Sequence, residues 1–368
     1  MPPATVRKLS GTLGPLPPNP AMGSAKEKWV VGILGEGPSA VPRVSTHLRA
    51  ADRFGTWKSR WTLGRDDYAV LPGLYAVGSP DRTSPVLVTA NYKMTFDAVR
   101  KELAGVDAWL LVLDTKGVNV WCAAGKGTFG TKELVRRVDA VGLARRVSHR
   151  TLVLPQLGAV GVAAHETARA TGFRVEYGPV HAEDLPAWLA AGRVATPAMR
   201  RVRFDVRDRL ALAPAELVFT FKPALIALGA MFLLNVAGLG FYGLVDLYAL
   251  AGALFVGCVL APLLLPLLPG RMFALKGAEL GLIWAVAVCL LNGWPDAPTL
   301  AWPKALAYLL VLPALAGFLT MNFTGSTTYT SPSGVNREMR RSLPAMVVAA
   351  ALGVLLLLGD GVAALFAR

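Results

Sequence analysis

Cys122 is the side chain with the most pointed chemistry in the sequence. It lies in Asn119-Val120-Trp121-Cys122-Ala123-Ala124-Gly125-Lys126, and the glycine-rich run Gly127-Thr128-Phe129-Gly130 follows it. A thiol placed where a strand gives way to free backbone N–H groups and a helix start tends to ionise, and a thiolate is a soft ligand for a transition metal. The competing reading is a small buried hydrophobe, the commonest state of a free cysteine. Lys126 either helps to hold Cys122 as thiolate or is simply solvated. Trp121 either packs against a bound ring or fills a core.

Such a cysteine needs elements to hold it. Residues 108–114 read as a buried strand ahead of it. A helix is expected after it, with Thr131 as N-cap, Glu133 in the first turn, and Leu134, Val135 and Val138 at helical spacing. Three more units share the pattern. A strand at 86–89 leads through the loop Asn91-Tyr92-Lys93 to a helix over 96–103 capped by Thr95. A strand at 151–154 leads through Pro155-Gln156-Leu157-Gly158 to a helix over 162–170. A strand at 173–177 leads through Gly178-Pro179-Val180-His181-Ala182 to a helix over 183–191. Residues 29–34 add a first strand candidate.

Four β-loop-α units in succession predict a parallel sheet with right-handed crossovers and helices on both faces, a Rossmann-like α/β domain. Their post-strand loops meet on one edge, where such folds bind cofactors. That edge is expected to carry Thr89, Asn91, Thr95, Cys122, Gly127, Gln156 and Gly178. Glycines there let backbone approach a ligand closely, and the Thr89 and Thr95 hydroxyls are placed to bond a polar tail.

The 368 residues are 54% hydrophobic and 17% charged, but most of the charge sits before about residue 210, so an apolar membrane half follows a polar one. The layout expected is a disordered tail over 1–26, a domain over 27–198, a basic connector over 199–216 (Arg200, Arg201, Arg203, Arg207 and Arg209), and an all-α transmembrane domain over 217–368. Its five spans fall near 217–236, 247–268, 276–293, 302–321 and 344–366. Each approaches the ~20 residues needed to cross a bilayer. Basic loops at Arg271/Lys276 and Arg337/Arg340/Arg341 place the polar domain in the cytoplasm and the C-terminus outside, as a multi-pass inner-membrane protein in contact with lipid. Charged groups within spans are almost lacking, which argues against a transporter. The N-terminus shows no apolar leader. The formal charge of +14 is explained by these arginines, and with no RNA or DNA-binding motif beside it nucleic acid is not an expected partner. Cys258 and Cys289 fall inside apolar spans and read as inert. With three cysteines and no Cys-x-x-Cys, the chain has no iron–sulfur framework of its own. The loop over 322–334 is either a flexible linker or a contact segment.

The words Thr115-Lys116-Gly117-Val118-Asn119-Val120-Trp121-Cys122-Ala123-Ala124-Gly125-Lys126 resemble the cap-helix signature of the membrane-bound mercury-methylating corrinoid proteins (the HgcA family), and the likeness runs from about Pro72 to the C-terminus. The polar domain is also similar to the corrinoid domain of the large subunit of the acetyl-CoA-pathway corrinoid iron–sulfur protein. The resemblance implies that Cys122 is the lower axial cobalt ligand of a base-off, Cys-on methylcob(III)alamin and passes its methyl group to Hg(II). The candidate corrinoid-binding set is Thr89, Asn91, Thr95, Asn119, Val120, Trp121, Cys122, Ala123, Gly125, Lys126, Gly127, Gln156, Gly158, Gly178 and Ala182. The usual cobalamin motif Asp-x-His-x-x-Gly is absent, so a cysteine takes the place of the histidine or nothing does. The implied partners are a separate ferredoxin-like protein with two [4Fe–4S] clusters and a methyltetrahydrofolate-linked methyl donor. A methyl carrier of acetyl-CoA metabolism and a non-catalytic corrinoid-binding membrane protein are the alternatives.

Overall fold

The structure is a computed structural model, and it describes residues 16–240, 242–296, 300–326 and 332–366. The chain divides into two compact units, one of residues up to 59 with 63–202 and the other of 60–62 with 203–368.

The first unit contains β1 (Val30–Leu34), β2 (Val41–Val44), α1 (Ala50–Arg60), β3 (Gly73–Val77), β4 (Val86–Ala90), α2 (Lys93–Lys101), β5 (Ala108–Leu113), α3 (Val120–Lys126) and α4 (Thr131–Ala140). There follow α5 (Leu143–Arg146), β6 (Thr151–Leu154), α6 (Ala164–Thr171), β7 (Arg174–Tyr177) and α7 (Leu185–Ala190). The seven strands form one sheet in the order β1-β2-β3-β5-β4-β6-β7. The four expected βα units supply β4 to β7, which run parallel. Within them the chain steps from β4 to β5 on one side and then crosses back to β6. The connections therefore diverge between β4 and β6, the kind of position at which open α/β sheets bind ligands.

Strands β3, β4 and β5 are buried at every position, as strands covered on both faces must be. Their side chains alternate between two cores. Trp109, Leu111 and Leu113 face Val120, Ala123, Phe129, Leu134 and Val138. Leu110 and Val112 face Phe96, Leu103, Leu185 and Trp188. Helices α3, α4 and α5 thus cover one face of the sheet, and α2 and α7 the other.

The other three strands make the sheet mixed rather than purely parallel: β3 pairs antiparallel with β5, β2 parallel with β3, and β1 antiparallel with β2. Of the segment expected to be an unstructured tail, residues 1–15 lie outside the described residues. Pro20–Ser24 form one 3-10 turn capped by buried Asn19, whose Nδ2 donates to Leu74 O at 2.7 Å.

Two expected helix starts shift. The second helix begins at Lys93, with Tyr92 at the N-cap, so Thr95 lies in its first turn rather than capping it. Gly130, not Thr131, is the N-cap of α4. In place of capping, the Thr131 hydroxyl accepts the Ala163 N–H at 2.8 Å and ties α4 to the start of α6.

The second unit is all helical: α8 (Val206–Leu210), α9 (Ala213–Val236), α10 (Leu244–Phe255), α11 (Ala261–Leu264), α12 (Phe273–Leu291), α13 (Trp302–Asn322) and α14 (Pro332–Phe366), with a π-helical turn at Val256–Leu260 joining α10 to α11. Five apolar stretches are long enough to cross a membrane: Val206–Val236, Leu244–Leu264, Phe273–Leu291, Trp302–Asn322 and Ser333–Val362. Asp246, expected in a loop ahead of the second span, instead lies buried at the start of that span. Asp246 in the first turn of α10 accepts from Lys304 Nζ at 2.9 Å, Tyr308 OH at 2.6 Å and its own cap residue Gly243 N at 2.8 Å. The loop expected over 322–334 is shorter than the sequence suggests. Residues 327–331 lie outside the described residues, Phe323–Ser326 form a 3-10 turn, and α14 already begins at Pro332.

Candidate functional site

The segment around Cys122 is a helix, as the likeness to a cap-helix signature implies, rather than the open loop that the strand–loop–helix pattern suggests. Asn119 is extended (φ −64°, ψ 162°), and its Oδ1 accepts the Cys122 N–H at 2.9 Å, which satisfies a donor the helix start would leave unbonded. Gly127 ends the helix in the left-handed region (φ 81°), where a side chain would be strained. Between these two caps the helical period sorts the residues. Val120, Ala123 and Ala124 turn into the core, while Trp121, Cys122, Gly125 and Lys126 are exposed. Cys122 and Lys126 stand one turn apart on that outer face. The Cys122 Sγ makes no hydrogen bond among the described residues. The buried-hydrophobe reading of the cysteine therefore fails, and at 42% exposure Trp121 is not a core tryptophan.

The post-β6 loop backs directly onto this helix. A Cβ at Gly161 would lie 2.1 Å from Phe129 O and 3.0 Å from Ala124 Cα, and one at Gly158 would lie 2.5 Å from the Phe129 ring. Only glycine fits at either position, and the close approach fixes the rear of α3.

The approach to α3 is set from β4. Buried Asn91 accepts at Oδ1 from Thr115 N (3.0 Å), Thr115 Oγ1 (2.8 Å) and Gly117 N (3.0 Å), while the Thr115 hydroxyl also reaches Val118 O at 2.7 Å. Asn91 thus holds the turn between β5 and α3. Beside it, burial acts to raise the Asp114 carboxyl, but the Lys116 hydrogen bonds and charge, with that of Arg137, hold it below the usual carboxylate range. The Asp114 N–H is taken by Glu133 Oε1 at 2.9 Å, which joins the end of β5 to α4. Thr89, at the carboxyl end of β4, is 1% exposed, and its Oγ1 has no partner. A buried hydroxyl in that state is uncommon in a finished protein interior.

Other candidates are placed differently. Thr95 is half-buried on α2. The Gln156 side-chain carbonyl is taken by Arg200, which also donates to Tyr177 O (2.9 Å) and Gly178 O (3.0 Å), so this arginine clips the post-β6 and post-β7 loops together. Gly178 donates to Leu154 O at 2.8 Å and extends the sheet ladder. Ala182 packs into the core on the sheet face opposite α3.

The sequence reading missed Arg200 and a buried charge quartet on α1 and α2. Lys93 Nζ bonds Asp52 (2.9 Å) and Asp97 (2.6 Å), and Arg100 bonds Asp97 (2.7 Å) and Asp52 (2.9 Å), with all four side chains at most 9% exposed. Lys93 Nζ also lies 5.4 Å from the Trp29 ring centroid. Asp52 and Arg100 lie 48 residues apart, so only the i,i+4 spacing of Lys93 and Asp97 hinted at the group. Among the described residues no group of three or more His, Cys, Asp or Glu is placed to hold a metal ion. A metal at Cys122 would therefore need part of its coordination from outside these side chains.

Residues 58–189 match the family described as CO dehydrogenase/acetyl-CoA synthase delta subunit. The chain is 36% identical over 131 residues to the acetyl-CoA decarbonylase/synthase complex subunit gamma of Methanopyrus kandleri, a segment covering 35% of this chain and 28% of that protein. It is 39% identical over 101 residues to the subunit of that name from Methanocaldococcus jannaschii, covering 27% and 21%. For Archaeoglobus fulgidus the identity is 33% over 131 residues, covering 35% and 27%. The chain thus spans about a quarter of the length of the curated relatives it matches. The matched segment contains β3 to β7 with α2 to α6, the part of the fold that carries Cys122, and ends inside α7.

Proposed function

We propose that the first unit is a corrinoid-binding domain, with Cys122 as the lower axial cobalt ligand, and that the protein transfers a methyl group from this cofactor to Hg(II). The observation that carries the reading is the Cys122 thiol, presented outward and unbonded on a helix fixed at both ends. The residues present suit the group. One exposed sulfur matches a metal whose other ligands come from a macrocycle, and the orphaned Thr89 hydroxyl is free to bond a cofactor's polar tail.

A bound corrinoid, held at Cys122, would supply a methyl group that can pass to Hg(II) as a carbanion equivalent. The chain's own residues set the conditions for that. Cys122 donates electron density from one side, which is the protein's main lever on a macrocyclic metal. Asn119 orients Cys122 through the cap, and Asn91 and Gly161 fix the helix from below and behind. Lys126 stands one turn on, on the same outer face as Cys122. The exposed Trp121 indole would be available to pack against a bound ring.

Recharging requires a low-potential electron donor. The chain has three cysteines, two of them buried in apolar helices, so that role is assigned to a separate ferredoxin-like protein with two [4Fe–4S] clusters, and the methyl group to a methyltetrahydrofolate-linked donor. We assign the first unit to the cytoplasm and the C-terminus to the outside, a reading that the basic loops support.

A second reading, a membrane-anchored methyl carrier for acetyl-CoA assembly, is favoured by the likeness of residues 58–189 to the delta-subunit family. One assay separates the two. Full-length protein loaded with methylcobalamin is given thiolate-bound Hg(II) in one arm and acetyl-CoA synthase in the other. Methylmercury formed by the wild type and lost in Cys122→Ala supports the first reading. Transfer only to acetyl-CoA synthase supports the second. Methylmercury formed equally by Cys122→Ala overturns the role of the thiol.

A further inference from the structure

At the end of the second unit where α9 and α12 begin and α11 stops, two cations have no carboxylate partner among the described residues. Arg209 is 5% exposed. One amino nitrogen of its guanidinium donates to Phe204 O at 2.6 Å, and its Nε is buried with no partner. Lys276, in the first turns of α12, donates from Nζ to Leu265 O at 2.6 Å and makes no ion pair among the described residues. Phe204 and Leu265, whose carbonyls receive these bonds, pack in one cluster with Leu212, Phe273 and Phe323, and α8 packs against α11.

Three nearby carboxylates are engaged elsewhere, and Glu216 and Glu279 form no ion pair among the described residues. Asp205 and Asp208 form the capping box of α8, and Glu338 accepts the Ala274 N–H at the start of α12 at 2.7 Å. A guanidinium shielded from water and left with one carbonyl lacks the counter-charge that buried ions require. The other cations at this end, such as Arg271, are exposed and solvated.

We propose that Arg209 and Lys276 form a binding site for the phosphate of an anionic phospholipid. The inference goes beyond the methyl-transfer reading and rests only on the five apolar helices crossing a membrane. The fork of a guanidinium matches the geometry of a phosphate, and Lys276 adds a point charge beside the same cluster. The depth agrees as well. Helix α9 begins at Ala213, directly after Arg209, so the guanidinium sits where the hydrocarbon gives way to headgroups. Exposed Phe219, Phe221 and Ile226 on α9 offer the acyl chains an apolar surface.

The test uses full-length protein in neutral detergent, delipidated and titrated with phosphatidylglycerol, phosphatidylcholine or inorganic phosphate. Native mass spectrometry reads binding, and thermal unfolding reads stability. The wild type should bind phosphatidylglycerol about tenfold more tightly than Arg209→Gln or Lys276→Gln, the scale of one charge-assisted hydrogen bond, while Arg271→Gln behaves as wild type. Arg209→Met should unfold no earlier than wild type without lipid, because it removes an uncompensated charge, yet lose the upward shift that phosphatidylglycerol confers. Equal phosphatidylglycerol binding by wild type and Arg209→Gln overturns the site, as does equal affinity for phosphatidylcholine. Full stabilisation by inorganic phosphate overturns the lipid as its source. An Arg209→Met protein that unfolds earlier without lipid but keeps the lipid shift assigns Arg209 a purely structural hydrogen bond.

Discussion

Cys122 and Cys289 are the same side chain in opposite settings. Cys289 is fully buried inside α12, with its sulfur 4.0 Å from Ala305 O, and Cys258 is 2% exposed in the turn between α10 and α11. Cys122 stands in the open on a short helix whose start, end and rear are each fixed by a specific contact. The two units also treat buried charge differently. The first pairs all four charges of its Asp52–Lys93–Asp97–Arg100 quartet, whereas the second pairs Asp246 and leaves Arg209 without a carboxylate. Chemistry, on this contrast, is a matter of where the local frame presents a group and what remains unpaired around it, not of residue type alone.

The largest expected effect breaks the cysteine comparison. Cys122→Ala should lower methyl transfer by more than about a hundredfold, since even the supporting partners of metal ligands are worth that much. Cys258→Ala and Cys289→Ala should leave transfer unchanged when assayed side by side. Loss of activity in either membrane variant would erase the distinction drawn between the two units.

The next effect sharpens the charge comparison. Asp97→Asn leaves two buried cations, Lys93 and Arg100, to share the single carboxylate of Asp52 and should cost about 3–5 kcal/mol of stability to chemical denaturation of the full chain. Asp246→Asn should cost less, because Lys304 keeps 15% exposure. Equal losses would mean that the two sites are equally closed to solvent.

A smaller effect tests the frame of α3. Asn119→Ala removes one cap bond and should cost about 1 kcal/mol, with corrinoid affinity falling in step, and Asn119→Asp should restore both. An alanine variant that binds corrinoid as tightly as wild type would show that the cap does not position the thiol.

The smallest effect is in pH. Burial acts to raise the Asp52 carboxyl, but the Lys93 hydrogen bond, the Arg49 N–H and the charges of Lys93 and Arg100 outweigh it and lower its pKa. A lowered folded-state value gives stability that is present above the ordinary carboxylate value of about 3.9 and is lost as pH falls through the folded value. Acid unfolding should therefore begin below that value and be blunted in Asp52→Asn. Asp81, pushed down to about 2 by bonds from Thr83 and Ser84, stays charged longer but holds only an exposed turn.

Much of this arrangement was legible in the sequence because it is local. Runs such as Val86–Ala90 and Ala108–Leu113, each followed by polar residues and then an amphipathic stretch, specify βα units by periodicity alone, and the five apolar spans follow from length and hydropathy. What was not legible depends on partners distant in sequence. The antiparallel insertion of β3 is decided by its pairing with β5, the ordering of Pro20–Ser24 by Asn19 reaching Leu74, and the role of Arg200 by a loop 44 residues away. The helix at Cys122 was implied by the likeness to a cap-helix signature but not by the pattern of its residues. Seven residues of mixed small and apolar character carry too weak a period, and its caps, Asn119 and Gly127, equally suit a turn.

The central claim is that the Cys122 sulfur ligates cobalt, and one measurement addresses it directly: the UV–visible spectrum of full-length protein reconstituted with cobalamin, recorded for wild type and Cys122→Ala. The account predicts a sulfur-to-cobalt signature in the wild type that disappears in the variant while cobalamin stays bound. Identical spectra from the two loaded proteins would contradict it.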